Sequence, residues 1–158
     1  MKKTLVAYFS ASGVTAALAG RLASAIGADL FEIVPEELYT PADLDWRDKN
    51  SRSSVEMNDR SSRPAIVSRV EDMSVYETVF VGFPVWWYRE PSIIDTFMEA
   101  YDFSGKTVVP FATSGSSGIG DSSQNMQALA PGAEVAQGRR FDRNASAEEL
   151  GRWAEEWT

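Results

Sequence analysis

The sequence predicts an α/β protein, a parallel sheet wound by helices on both faces. Three observations predict it. Short, wholly apolar, β-branched runs recur along the chain, as strands buried on both faces do. Segments with apolar residues at helical spacing alternate with those runs. Loops rich in hydroxyl, glycine or aromatic residues follow three of the runs, at the strand ends where such folds bind ligands. The 158 residues suffice for one domain, 1–158, able to bury about 70% of its extended-chain surface. No internal repeat or linker marks a second domain.

Leu5-Val6-Ala7-Tyr8-Phe9 is the first buried strand. A turn, Ser10-Ala11-Ser12-Gly13-Val14-Thr15, leads into a helix whose Val14, Ala17, Leu18, Leu22, Ala25 and Ile26 share one face. Asp29–Val34 reads as a second short strand closed by Pro35. Glu36–Arg63 turns polar and charged, with Pro41 and Trp46, and reads as a loop plus a solvent-facing helix. It is either a plain surface connection or a partner-contact surface. Pro64–Tyr76, with Val67, Val70 and Val75, leads back into the core.

Thr78–Gly82 is a buried strand, and Pro91 opens a helix with Ile94, Phe97, Met98 and Tyr101 on its inner face. Gly105 ends that connection, and Lys106–Ala112 is the next strand. Pro110 cannot donate to a ladder, so a bulge or an early end to pairing is expected there. Ser122 or Ser123 is placed to cap a short helix containing Met126 and Leu129. A last strand is expected between Ala133 and Phe141. Ser146 and Glu149 form a capping box, and Leu150, Trp153, Ala154 and Trp157 line the closing helix.

Composition removes whole classes of chemistry. With no cysteine, disulfides, thiolate nucleophiles and cysteine-ligated iron–sulfur clusters are excluded. With no histidine, Ser-His-Asp catalysis, histidine bases and ordinary zinc sites go too. Any chemistry is then expected to come from a bound cofactor. Fifteen basic residues against 23 acidic leave a net charge of −8. That charge disfavours nucleic acid and acidic membrane surfaces and favours partners with basic docking faces. Met1-Lys2-Lys3 before an apolar run imitates a signal peptide, but only five apolar residues run unbroken and Arg21 falls where a cleavage region is neutral. Nothing approaches a membrane span, so a cytoplasmic protein is expected.

Three loops carry the functional reading. In the first, the open N–H groups of a helix start meet the hydroxyls of Ser10, Ser12 and Thr15, which makes a phosphate cradle or an ordinary turn capped by Ser12. It lacks the Gly-Lys pair of a Walker loop and the spacing of a dinucleotide fingerprint. Without lysine or metal ligand, it suits a phosphate monoester held intact rather than transferred. The second loop, Phe83–Pro91, sets Trp86, Trp87 and Tyr88 in a row; at least one is expected at the surface, suited to stacking on a planar ring. The third, Thr113–Gly120, has glycines that let backbone approach a ligand closely, or is simply a flexible turn. A phosphate end, a planar middle and a hydrogen-bonding edge together describe flavin mononucleotide, FMN.

Through YFSASGVTAALA, GFPVWWYREPS and PFATSGSSGIGDS, the sequence resembles the flavodoxin family in consistent order over nearly the whole chain. The resemblance implies a flavodoxin-like, doubly wound three-layer sandwich with five parallel strands in the order 2-1-3-4-5. It implies that Ser10, Ala11, Ser12, Gly13, Val14 and Thr15 hold the FMN phosphate. Pro84, Val85, Trp86, Trp87 and Tyr88 would border the isoalloxazine. Thr113, Ser114, Gly115 and Gly118 would serve its pyrimidine side or ribityl chain. The first loop reads Ser-Gly-Val-Thr where many short-chain members have Thr-Gly-Asn-Thr-Glu, and the polar 36–63 segment is longer than in short members.

Three functions fit these residues. The foremost is a monomeric, low-potential single-electron carrier between redox proteins. The second is a flavodoxin-like NAD(P)H-dependent quinone or flavin reductase, against which stands the lack of a second nucleotide motif. The third is a non-redox binding module that has kept the fold, against which stands the intact phosphate loop.

Overall fold

The computed structural model describes residues 3–114 and 118–158. A six-residue strand, β1 (Lys3–Tyr8), is followed by α1 (Val14–Ile26) and β2 (Asp29–Glu32). A long excursion holds a short helix, α2 (Arg52–Met57), before β3 (Tyr76–Pro84), α3 (Ser92–Ala100) and β4 (Thr107–Thr113). Then come α4 (Ser122–Leu129), β5 (Glu134–Val135), β6 (Arg139–Phe141) and α5 (Ala147–Ala154).

All strand pairs are parallel, and the sheet runs β2-β1-β3-β4-β5, the expected order. Its fifth position is filled by two short pieces, because β6 also pairs with β4. Pro110 explains the split. The carbonyls of Lys106 and Val108 accept from Glu134 and Ala136, so alternate residues of β4, Pro110 included, turn their backbone groups toward that edge. There Pro110 has no N–H to give, and pairing stops at Val108 and resumes at Phe111. On the other side the ladder with β3 is unbroken, with Val81 beside Pro110.

Alternation along the buried strands sorts the core into two layers. Leu5, Ala7, Val79, Val81, Phe83, Val108 and Ala112 face α3 and α4, meeting Ile93, Ile94, Phe97 and Met126. Val6, Phe80, Val109 and Phe111 face α1 and α5, meeting Leu18, Leu22, Leu150 and Ala154. Gly82 lies opposite Phe111 on that second face, and a Cβ there would stand 2.2 Å from Phe111 Cζ. The ring fills the room a side chain at 82 would take.

Several local expectations need correction. The 36–63 helix does not face solvent: Ser53, Ser54 and Met57 of α2 are buried, and Ser92 Oγ donates to Glu56 O at 3.3 Å. Small serines on its inner face let it sit close where a bulkier helix would stand off. Val67 and Val75 stay exposed, and only Val70 and Met73 of that stretch join the core. Neither Ser122 nor Ser123 caps α4. Asp121 occupies the cap position without a side-chain bond, while Ser122 Oγ donates to Ile119 O at 2.7 Å. Ser146 does cap α5, accepting from Glu149 N at 3.1 Å. Among the described residues no helix is long and apolar enough to cross a membrane.

Candidate functional site

β3 and β4 end level, Pro84 beside Thr113, and β1 ends two residues earlier in the register, Tyr8 beside Gly82. The three loops of interest therefore leave one edge of the sheet together. At the first, Gly13 has φ 91° and precedes α1 without a side-chain cap. Ser12 is not the cap; Ser10 Oγ accepts from Gly13 N at 3.0 Å and braces the turn from within. No acidic residue occupies the first turn of α1, whose amides at Val14, Thr15 and Ala16 stay open. Ser12 is exposed, and its side chain makes no hydrogen bond among the described residues. Thr15 is buried, and its hydroxyl shares a 2.8 Å hydrogen bond with that of Thr113. That bond ties the first loop to the third.

The second loop is not extended. Trp86 N donates to Arg89 O at 3.0 Å and Arg89 N to Trp86 O at 3.2 Å, closing a two-residue turn. Its central residues, Trp87 and Tyr88, have φ 50° and 64°, values that a primed turn demands and that glycine or asparagine usually supplies. The turn parts the aromatics. Trp86 packs edge-on against Phe9 and Tyr39 at 5.6 and 5.4 Å, while Trp87 and Tyr88 are 38% and 76% exposed. Gly120 (φ 62°) lies against this turn, where a Cβ would stand 1.9 Å from Tyr88 O. A glycine of the third loop thus admits the chain's own backbone.

Two cavities meet at Ser12, Pro84, Val85 and Trp86. One, of about 680 Å³, adds Val14, Thr113 and Ser114 with Asp142, Arg143 and Asn144. The other, of about 600 Å³, adds Ala11, Trp87 and Tyr88 with Leu44, Trp46 and Ser53. Most residues expected at the site thus line one volume or the other. Gly13 lines a smaller hollow of about 290 Å³ with Arg21 and Arg143. Ser10 and Thr15 act from behind the wall, Gly118 is exposed outside both larger cavities, and Gly115 lies outside the described residues.

Sequence reasoning missed two groups of wall residues. Leu44, Trp46 and Ser53 come from the polar 36–63 segment, read as a surface connection or a partner-contact surface and not as a wall of the site. Asp142–Asn144 follow β6, and only topology brings them to the first loop. Arg143 places a cation where the loop alone offered none. Arg21 of α1 steadies that loop, donating to Arg143 O at 2.7 Å and to Ala145 O. Arg140 of β6 holds the third loop at its start, donating to Ser114 O at 2.9 Å.

A buried ionic cluster sits behind the aromatic turn. Arg89 Nη1 lies 3.5 Å from Glu90 Oε2 and 3.4 Å from Asp95 Oδ2, and Asn125 Nδ2 donates to Glu90 Oε1 at 3.0 Å. Arg63 approaches Asp95 at 3.9 Å. Burial, and then the neighbouring Asp95 carboxyl, push Glu90 up to about 8. At neutral pH Glu90 therefore keeps its proton, which spares the interior an uncompensated charge.

A family model described as Flavodoxin matches residues 3–157. Among solved structures, a candidate flavoprotein from Bacteroides uniformis is 50% identical, covers 98% of both chains and superposes with a TM-score of 0.92. One from Bacteroides eggerthii is 47% identical, over 99% of this chain and 98% of that one, also at 0.92. A flavoprotein from Lactobacillus acidophilus, crystallised in complex with FMN, shares the fold at 24% identity and TM-score 0.72, covering 98% of this chain and 100% of its own. No curated protein matches the chain.

Two predictions come from this geometry. Positive φ at two bulky residues costs on the order of 1–3 kcal/mol each. Replacing the pair, Trp87→Asn with Tyr88→Gly, is expected to stabilise the cofactor-free protein by at least about 1 kcal/mol in urea unfolding. Unchanged or lowered stability would show that the turn is unstrained.

The second concerns pH. Glu90 binds its proton more tightly folded than unfolded, where 4.5 is its ordinary value. Its contribution is complete below that value and is lost as pH rises through the folded value near 8. The unfolding free energy from urea titrations is expected to fall between about pH 5 and 8 by at least the 1.4 kcal/mol that one pKa unit represents, and Glu90→Gln to flatten that slope.

Proposed function

This chain belongs to the flavodoxin family, and we propose that it binds FMN and works as a low-potential, single-electron carrier between redox proteins. One observation carries the reading: a cavity bordered by open helix amides, a free hydroxyl and a cation adjoins a second cavity walled by aromatic rings. The first has the chemistry of an anion site, and the second that of a slot for a flat ring. A flavoprotein of the same fold was crystallised with FMN.

The residues fit the cofactor. Ser12, Gly13, Val14 and the open amides behind them would hold the phosphate, with Ser10 and Thr15 bracing the loop and Arg143 offsetting charge. Val85, Trp86, Trp87 and Tyr88 would border the ring system, and Thr113 with Ser114 its polar edge or ribityl chain. FMN would supply the redox chemistry that a chain without cysteine or histidine lacks. The chain's part is to hold the ring, keep its face dry and set its electrostatic surroundings. A net charge of −8 supports basic-faced protein partners, which steer by charge at low salt. It also supports a monomeric carrier that repels nucleic acid and acidic membranes.

A second reading, reduction of a small molecule at the expense of NAD(P)H, is favoured by one feature. Leu44 and Trp46 build an extra wall on the ring side, where a carrier gains from an open approach.

Binding tests the cofactor assignment. FMN is expected to bind one to one and far more tightly than riboflavin, which lacks the phosphate. Ser12→Asp sets a negative charge against that phosphate, and at about 4 Å and an effective dielectric near 20 the repulsion is about 4 kcal/mol. At least a tenfold loss of FMN affinity with little loss for riboflavin is the expected calorimetric result; equal affinity for the two ligands would refute the cradle.

Reduction tests the carrier. Repulsion of about 1.4 kcal/mol lowers a one-electron potential by roughly 59 mV. An acidic protein is therefore expected to separate the two one-electron steps in an anaerobic dithionite titration. Added salt should raise the lower one by screening its surface part. Arg143 limits that depression below what an uncompensated phosphate would produce. A single two-electron step with rapid reduction by NAD(P)H would favour the reductase.

A further inference from the structure

The ionic cluster of Arg89, Glu90 and Asp95 lies behind the aromatic turn, and cofactor binding as proposed above makes no use of it. All three side chains are buried, Glu90 completely. We propose that Glu90 is a positioning residue for the turn: protonated, its carboxyl holds Trp87 and Tyr88 in place, and ionised, it releases them. The consequence for cofactor affinity rests on the FMN reading above.

Charge balance gives Glu90 its proton. Arg63 lies 2.6 Å from Glu99 and 3.9 Å from Asp95, and Arg89 lies 3.4 Å from Asp95. Two guanidinium groups are thereby matched by the carboxylates of α3. From α4 the neutral Asn125 amide donates to Glu90 Oε1 at 3.0 Å and accepts from the exposed Arg60 at 3.0 Å. Glu56 of α2 is paired with Arg52. An ionised Glu90 would therefore put a third carboxylate in the interior with no buried cation to match it.

The hydrogen bonds show how thinly Arg89 is shared. Its Nη1 alone serves Glu90 O at 3.2 Å, Glu90 Oε2 at 3.5 Å and Asp95 Oδ2 at 3.4 Å. Each is longer than the roughly 2.7–2.9 Å of a good charge-assisted bond. Arg89 Nη2 and Asp95 Oδ1 are buried without a hydrogen-bond partner among the described residues. A protonated Glu90 can donate to Asp95, which lets one guanidinium serve both groups. Once Glu90 ionises, the two carboxylates repel, and Arg89 is drawn to one of them or toward water.

Arg89 is also the anchor of the turn. Its N–H and its carbonyl make both backbone hydrogen bonds to Trp86. Trp87 and Tyr88, between them, hold φ of 50° and 64°. Backbone in that region persists only where its surroundings over-determine it. Gly120 against Tyr88 O is one clamp, and the fixed Arg89 side chain is the other. Freeing Arg89 loosens the turn, and with it the Trp87 and Tyr88 wall of the ring cavity.

The experiment follows Trp87 emission, taken as the difference between the wild-type protein and Trp87→Phe, in cofactor-free protein from about pH 6 to 9. Calorimetry measures FMN affinity over the same range. An emission step with its midpoint near 8 is expected. FMN affinity should fall at least about threefold across it. Glu90→Gln keeps a donor for Asp95 and an acceptor for Asn125, and should hold the low-pH emission and affinity throughout. The ligand's own titration is common to both proteins and cancels in the comparison. Asp95→Asn, a second and independent variant, removes the carboxylate that helps Glu90 keep its proton and should move the midpoint down by at least about half a pH unit.

The proposal is overturned if Trp87 emission is level with pH, if Glu90→Gln titrates as the wild type does, or if Asp95→Asn leaves the midpoint in place. It is overturned too if FMN binds with an affinity that changes equally in the wild type and Glu90→Gln. Failure of the cofactor reading looks different: FMN does not bind, while an emission step that Glu90→Gln abolishes still supports the hold of Glu90 on the turn.

Discussion

Parallel, in-register pairing of β1, β3 and β4 is the constraint on which the rest depends. Over residues 5–7, 79–83 and 108–112 these strands are buried on both faces, so they are apolar there and carry no chemistry. The polar and strained features of the site gather at the strand ends and the elements that follow them, and the register decides which loops meet. With Tyr8 beside Gly82 and Pro84 beside Thr113, loops distant in sequence emerge together. The Thr15–Thr113 hydrogen bond and the fit of Gly120 against Tyr88 O lock them to one another. A one-residue slip in either ladder would send side chains of each core layer to the other and part the loops at once.

Electrostatics is arranged in zones on this frame. The chain is strongly acidic overall, yet Arg143 borders the anion end of the site while Arg21 steadies its loop. Behind the aromatic turn, Arg89 offsets one carboxylate and the raised Glu90 carboxyl stays neutral. Between the two lies a chamber without formal charge. An uncharged ring region beside a cation-bordered anion region lets each end exclude ligands suited to the other.

Much of this was legible in the residues. Buried strands announce themselves as apolar runs, and parallel pairing follows from their alternation with amphipathic helices, while the order 2-1-3-4-5 came from the family resemblance. The three loops drew notice because hydroxyls, glycines and adjacent tryptophans are costly to place at random. What could not be read had physical causes. Pro110 predicted a break in pairing but not which edge would carry it, since that depends on the side toward which its missing donor points. The φ values of Trp87 and Tyr88 run against turn chemistry, so no propensity would have found them. Arg143 and Ser53 reach the site only through topology, and Ser53 sits in a stretch whose polarity disguised a buried helix face.

That disguise bears on how the site is given its shape. A helix that buries serines gains little apolar contact, so the 36–63 segment contributes less to the core than its length would allow. It is held by Arg52 against Tyr39 and Glu56, and its Tyr39 ring meets Trp86, which in turn meets Phe9. The chain of contacts runs from the first strand's end, through the aromatic loop, to the outer wall. Strain at Trp87 and Tyr88 stays in place because Trp86 on one side and Arg89 on the other are fixed by packing and by the buried cluster. Stability given up at the turn and at Ser53 is thus spent at one place, the ring-side cavity. The positive-φ turn and the Ser53 hydroxyl, unpartnered among the described residues, both border that one cavity, as expected where departures from good folding chemistry gather at a functional site.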